Sequence, residues 1–144
     1  MLEARVDLWK AEADLRVVTT NGFVKRNGEA VMGAGCAREL RDAVPSAPRK
    51  LGALIRRHGN RPVRFLAVNG AHVASLPVKV HWKLAADLDL IEASVRSLVL
   101  MADKFGYTNV VLPRPGCGNG RLKWAEVQER IEPLLDDRFT VVTK

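Results

Sequence analysis

The feature that most constrains the fold of this chain is a strand, loop and helix pattern near its carboxyl end. Residues 109–112, in which Asn109 is followed by three apolar residues, are typical of a short buried strand. After a loop, apolar residues recur at steps of three, four and three, the spacing of one helix face; they are Trp124, Val127, Ile131 and Leu134. The intervening loop is therefore held at both ends and is expected to be ordered.

This loop carries three glycines at alternate positions, Gly116, Gly118 and Gly120. Glycine can adopt positive φ and has no Cβ, so backbone N–H groups can converge on an anion beside a helix N-terminus. A pyrophosphate would fit such a loop. Glycine clusters also occur in tight strand-to-helix turns that bind nothing, so this segment alone leaves both interpretations open.

A second glycine-rich segment, Met32 to Ala37, reads MGAGCA and leads into another helical pattern. It lies downstream of a β-branched run at residues 15–20 that predicts a buried strand. Two glycine-rich helix starts, each following a strand, favour an anion-binding site more strongly than either start does alone.

The rest of the chain predicts alternating strands and helices. The strands are expected at residues 2–6, 15–20, 64–68, 71–78, 109–112 and 139–143, and the helices at 36–44, 49–58, 91–105 and 124–134. Asn69-Gly70 predicts a hairpin turn, which makes one strand pair antiparallel and the sheet mixed. This alternation is typical of one three-layer α/β domain covering residues 1–144, with ligands at the carboxyl ends of the strands.

Helix boundaries are indicated by proline and glycine. Pro45 and Pro48 are expected to separate the first two helices, with the second restarting at Arg49. Gly106 is expected to end the third helix, and Pro133 to end or kink the fourth.

Composition bounds the class of partner. The net charge of +7 favours polyanionic partners, although many basic domains simply have a solvated face. No secretory signal and no apolar run of about 20 residues is present, so we expect a cytoplasmic protein with no membrane partner.

Cys36 and Cys117 are expected to be small buried thiols. The three histidines show no zinc-like spacing, so no metal site is expected.

Taken together, the motifs of this chain resemble those of a macrodomain. They are Asp7-Leu8, Thr20-Asn21-Gly22, the MGAGCA loop, the LPVKVHW segment at residues 76–82 and the glycine loop ending at Trp124. The resemblance spans nearly the whole chain and is closest to the branch that holds terminal ADP-ribose glycohydrolases and DarG-type DNA ADP-ribosyl glycohydrolases. It implies a three-layer α/β/α fold around a mixed sheet of about six strands.

The resemblance also implies which residues bind ADP-ribose. Asp7 would hold the adenine amino group with Leu8 beside it, and Asn21 would face the distal ribose. The two glycine loops would surround the diphosphate and ribose, through Gly33, Ala34 and Gly35 on one side and through Gly116, Cys117, Gly118, Asn119 and Gly120 on the other. No cofactor is implied, because ADP-ribose is itself the ligand or product.

Lys79 occupies the position of the catalytic lysine in the glycohydrolase branch. It could act as a general acid, or its amine could attack the anomeric carbon of the distal ribose, and either role needs a lowered pKa. From composition alone, a solvated surface lysine is the more common case. His81 and Trp82 are possible accessory residues, with a structural hydrogen bond and a core position as their alternatives.

One departure bears on the substrate. Protein-directed relatives carry an aspartate in the second glycine loop where this chain has Gly120. The DNA-directed branch is similar to this chain at that point, so ADP-ribosylated thymidine in DNA is the favoured substrate and ADP-ribosylated protein the second. The alternatives are a non-catalytic ADP-ribose reader, a phosphatase acting on ADP-ribose phosphate, and a plain nucleic-acid-binding domain. We expect a monomer.

Overall fold

The computed structural model describes residues 1–144, which form six strands, four α-helices and one short 3-10 helix. In chain order these are β1 (Leu2–Arg5), β2 (Leu15–Asn21), α1 (Gly35–Ala43), α2 (Ala47–His58), β3 (Arg64–Val68), β4 (Ala71–Lys79), α3 (Leu88–Phe105), β5 (Val110–Pro113), α4 (Trp124–Ile131), the 3-10 helix Glu132–Leu134 and β6 (Phe139–Thr143). Every predicted strand and helix is present, with bounds shifted by a few residues.

The six strands form one sheet in the order β1-β6-β5-β2-β4-β3. Neighbouring strands are parallel except β3 and β4, which are antiparallel. The hairpin turn between β3 and β4 has Asn69 at φ 50° and Gly70 at φ 79°, the left-handed conformations that a tight hairpin requires. The predicted mixed sheet is therefore confirmed.

Helices cover both faces of the sheet. Alternate residues of β2 point to opposite cores: Val17 packs with α3 and α4, whereas Val18 packs with α1 and α2. Both residues have no exposed surface. A strand buried on both faces needs apolar residues at adjacent positions, which explains the neighbouring Val17 and Val18 in the β-branched run at residues 15–20. The predicted three-layer α/β/α architecture is confirmed.

The helix boundaries follow local chemistry, and the start of the second helix differs from the prediction for a physical reason. Gly106 ends α3 in a left-handed conformation at φ 69°, and α4 ends at Ile131 before Pro133. The second helix begins at Ala47 rather than Arg49. Pro48 lies in its first turn, where a missing N–H costs no hydrogen bond and the fixed φ already suits a helix.

None of the four α-helices combines the length and the apolar character needed to span a bilayer.

Candidate functional site

A cleft of about 900 Å³ runs along the carboxyl ends of the parallel strands. Leu8, just beyond β1, lies at one end, and Lys79, the last residue of β4, lies at the other. Four inter-strand spacings separate β1 from β4, or roughly 19 Å. The cleft is thus long enough for an extended ligand the size of a nucleotide joined to a sugar.

One wall of the cleft is the MGAGCA loop. Gly33, Ala34 and Gly35 line the cleft, and their backbone N–H groups donate to no acceptor within the protein. No side chain caps the N-terminus of α1, which begins at Gly35. Unpaired N–H groups at a helix N-terminus carry partial positive charge, so this wall is suited to an anion.

The other wall is the second glycine loop, between β5 and α4. Gly116, Gly118, Asn119 and Gly120 line the cleft. The N–H groups of Gly118, Asn119 and Gly120 also lack an acceptor within the protein. The N–H of Cys117 is used inside the loop, 3.4 Å from the carbonyl oxygen of Arg114. Two sets of free donors therefore face one cleft, as a diphosphate requires.

Different physical conditions apply at the glycine positions of these loops. A Cβ on Gly120 would lie 2.6 Å from the carbonyl oxygen of Gly116 and 2.7 Å from the Cβ of Ala86, so packing excludes any side chain there. A Cβ on Gly33 or Gly118 would meet nothing within 4 Å, and neither glycine has positive φ. Fold and packing therefore do not require glycine at positions 33 and 118, and the lack of a side chain there leaves the backbone of both residues open to the cleft.

Lys79 lies at the other end of the cleft with only 6% of its surface exposed. Its Nζ donates to the carbonyl oxygen of Trp82 at 3.2 Å, and no carboxylate lies within ion-pair distance. Burial, and secondarily the positive charge of Arg121, lower the pKa of Lys79 below its ordinary value. A lysine that is buried in a cleft and has a lowered pKa is a candidate for nucleophilic or acid–base chemistry.

Asn21 lies beside Lys79 and is also buried. Its Nδ2 donates to the carbonyl oxygen of Val31 at 3.1 Å, and its Oδ1 accepts from the N–H of Phe23 at 3.0 Å. These bonds tie the end of β2 to the approach of the MGAGCA loop. Asn21 lines the cleft, and its amide retains one N–H and one lone pair without a partner, enough to bind a hydroxyl group.

The opposite end of the cleft holds Leu8 against the core, while Asp7 lies outside the lining. The carboxylate of Asp7 accepts from the N–H of Trp9 at 2.9 Å and lies 3.7 Å from the Nζ of Lys144. Arg16, a buried residue that sequence reasoning did not single out, donates to the carbonyl oxygens of Leu8 and Ala11 and holds this turn.

The structure brings most of the predicted site residues to one cleft. Eleven line it, namely Leu8, Asn21, Gly33, Ala34, Gly35, Lys79, Trp82, Gly116, Gly118, Asn119 and Gly120, whereas Asp7, Cys117 and His81 do not. Cys36 and Cys117 are half-buried free thiols rather than the buried ones predicted, and desolvation raises the pKa of both, so they are poor nucleophiles at neutral pH.

Besides Lys144, sequence reasoning missed two further cations of the lining, Arg114 and Arg121. Both flank the second glycine loop in sequence, so a basic residue on each side of a predicted anion-binding loop was the available signal. Arg121 adopts φ 66°, an unusual conformation for a residue with a side chain.

No protein-family model matches the chain. Among curated proteins, it is 31% identical over 65 residues to the DNA ADP-ribosyl glycohydrolase of Thermus aquaticus and 32% identical over 60 residues to that of Mycobacterium tuberculosis. These matches cover 45% and 42% of this chain. They span only 18% and 17% of the length of those curated relatives.

Solved structures are similar along nearly the whole chain. The macrodomain of Mycobacterium tuberculosis DarG has a TM-score of 0.80 at 24% identity, covering 99% of this chain and 97% of that one. Thermosipho africanus DarTG in complex with ADP-ribose has a TM-score of 0.77 at 21% identity, covering 96% of this chain and 40% of that one. The predicted resemblance is confirmed: the chain has the macrodomain fold and is similar to the macrodomains of DarG proteins.

Proposed function

We propose that this protein binds ADP-ribose in the cleft and hydrolyses it from ADP-ribosylated thymidine in DNA, with Lys79 as the reacting residue. The observation that carries the proposal is the position of one buried lysine, without a carboxylate partner, at the end of a cleft with free N–H donors on both walls. The names of the curated relatives, DNA ADP-ribosyl glycohydrolases, support the same activity.

The binding mode follows from the two walls. The diphosphate would lie between Gly33–Gly35 and Gly118–Gly120, whose N–H groups would replace its hydration shell. The adenosine would extend toward Leu8, and the distal ribose toward Asn21 and Lys79. In this orientation the anomeric carbon of the distal ribose would lie next to Lys79, the only buried lysine of the protein.

The lowered pKa of Lys79 supports attack by its neutral amine. The Nζ–C bond would form at the anomeric carbon while the glycosidic bond breaks, and the electron pair would leave with the base, which then takes up a proton. The enzyme-bound ribose would open to an imine that water hydrolyses, releasing ADP-ribose and regenerating the lysine. The clamped diphosphate would stabilise positive charge that develops at the anomeric carbon.

Two observations favour DNA over an ADP-ribosylated protein as the substrate. Position 120 has no space for a Cβ, so the aspartate of protein-directed relatives cannot stand there without rearrangement of the loop. The lysine end of the cleft also carries exposed cations, Lys83 and Arg121, that form no ion pair and would attract a phosphate backbone.

The test is release of ADP-ribose from a single-stranded oligonucleotide carrying one ADP-ribosylated thymidine. We expect turnover by the wild type and a loss of at least about 100-fold in Lys79→Ala, the scale of a lost catalytic group. Lys50→Ala is the matched control, because Lys50 is an exposed lysine on α2 and its loss changes the net charge equally.

Trapping with sodium borohydride tests the covalent step. Reduction during turnover should leave a ribose adduct on Lys79 and none on Lys50, as mapped by mass spectrometry. ADP-ribose binding without release from DNA or protein would instead identify a reader. Release of inorganic phosphate from ADP-ribose phosphate would identify a phosphatase.

A further inference from the structure

Three aromatic rings form a continuous exposed surface beside Lys79, here named the aromatic surface (Phe23, His81 and Trp82). The ring centroids of Phe23 and His81 are 4.6 Å apart, and those of His81 and Trp82 are 5.3 Å apart. Phe23 is 37% exposed and Trp82 is 43% exposed. Large aromatic groups left in contact with water in this way mark a binding surface more often than a structural one.

The aromatic surface is continuous with the cleft. Trp82 lines the cleft, and its carbonyl oxygen accepts the hydrogen bond from Lys79 Nζ. Phe23 follows directly on Asn21-Gly22, and its N–H donates to Asn21 Oδ1. The aromatic surface is therefore adjacent to Lys79. It lies on the side from which a macromolecular substrate would present its modified nucleotide.

Charge around the aromatic surface is positive and unpaired. Lys83 Nζ lies 5.3 Å from the Trp82 ring centroid, and Arg121 Nη2 donates to the Lys83 carbonyl oxygen at 3.3 Å. Arg26, three residues beyond Phe23, is also exposed. These three cations form no ion pair, whereas Arg130 and Arg138 on the α3 and α4 side are each paired with two carboxylates.

Aromatic faces bordered by free cations are the chemistry that binds single-stranded nucleic acid, because bases stack on rings and phosphates attract lysine and arginine. Duplex DNA would not offer its base faces to such a surface. A protein segment would not need three neighbouring rings bordered by cations.

We propose that the aromatic surface binds single-stranded DNA by stacking the bases next to the modified nucleotide. The proposal rests on the proposed function, since it takes the nucleotide at Lys79 to belong to a DNA strand. The surface would raise affinity for a strand over an isolated nucleotide, without taking part in bond cleavage.

The first experiment needs no turnover. Fluorescence anisotropy measures binding of an unmodified, labelled ten-nucleotide oligothymidine to the wild type, Phe23→Ala and Phe105→Ala. Phe105 is a matched control, because it is 41% exposed but the guanidinium of Arg64 lies 3.4 Å from its ring centroid and already covers one face, and because it lies at the far end of α3, about 27 Å along that helix. We expect Kd to rise about tenfold in Phe23→Ala and to stay unchanged in Phe105→Ala.

The second experiment compares substrates of different length. The wild type should show a kcat/KM about tenfold higher for a modified ten-nucleotide strand than for ADP-ribosylated thymidine monophosphate, and Phe23→Ala should remove only that preference. If no substrate is turned over, the proposed function fails. The anisotropy result still decides whether the aromatic surface binds single-stranded DNA. Equal Kd values for Phe23→Ala and Phe105→Ala, or equally tight binding of duplex DNA, would overturn the proposal.

Discussion

Asn21 and Lys79 are partners in the parallel ladder between β2 and β4, immediately after a register shift that follows the Thr20–Pro77 pair. The carbonyl oxygen of Lys79 accepts hydrogen bonds from the N–H of Gly22 at 3.2 Å and from Nδ2 of Asn60 at 3.3 Å. The backbone of Lys79 is thus fixed both by the loop after β2 and by the loop after α2. A bulge at this point is a recurrent way of aiming a functional side chain.

The two hydrogen bonds to the Lys79 carbonyl oxygen predict that substitutions at Asn60 and Gly22 have non-additive effects on turnover. Asn60→Ala removes one donor directly. Gly22→Ala would place a Cβ 2.7 Å from the Asn60 amide, whose flexible side chain would move off the carbonyl. We expect each variant to lower kcat about threefold to tenfold with KM nearly unchanged, and the double variant to lose no more than the worse single one. Losses that multiply would contradict a shared effect on Lys79.

The pKa of Lys79 predicts the pH dependence of release. A nucleophilic amine must be neutral, so kcat/KM should rise with pH and level off at the lowered Lys79 pKa, below its ordinary value of 10.5. Arg121→Gln removes a positive charge that disfavours the protonated lysine, so the plateau should begin at higher pH. A rate that falls as pH rises through the same pKa would make Lys79 the general acid instead.

Burial of Lys79 also predicts that replacing this lysine stabilises the protein although it eliminates activity. The unfolded chain holds the Lys79 proton more tightly than the native protein, so unfolding free energy should increase with pH between the lowered pKa and 10.5. Lys79→Met should therefore raise Tm at pH 7 and remove this pH dependence, while eliminating turnover. Thermal melts of both proteins at several pH values measure it; a lower Tm for Lys79→Met would show that the ammonium is stabilising.

The two classes of loop glycine predict opposite effects of an alanine substitution on stability and on ligand affinity. Gly118→Ala and Gly33→Ala add a methyl group in open space, so unfolding free energy should change by less than about 0.5 kcal/mol. ADP-ribose affinity, measured by calorimetry, should nevertheless fall at least about tenfold, because the methyl group occupies the approach of the diphosphate to the backbone.

Gly120→Ala is the contrasting variant. It forces a Cβ against the backbone of Gly116 and against Ala86, so we expect a loss of about 1–3 kcal/mol in unfolding free energy. Denaturant unfolding separates the two classes. Normal affinity in Gly118→Ala, with normal stability, would place the diphosphate elsewhere.

Much of this arrangement was predictable from local sequence. The β-branched run at 15–20 is a strand buried on both faces, Asn69-Gly70 makes the hairpin, and Gly106 ends α3. These features depend on backbone preference and burial over a few residues, which a single chain displays directly. The start of α2 was less predictable, because Pro48 is compatible with both a break and a first helical turn.

The site divides in the same way. Sequence by itself determined the identity of the two glycine loops, the presence of Lys79 after a strand, and the excess of positive charge. Only the tertiary structure decided that packing needs Gly120 but not Gly118, that Lys79 is buried near Arg121, that Asn60 reaches its carbonyl, and that Phe23 joins His81 and Trp82. Each of these relations joins residues from separate segments, and their distances are set by strand order and packing, which local sequence patterns do not encode.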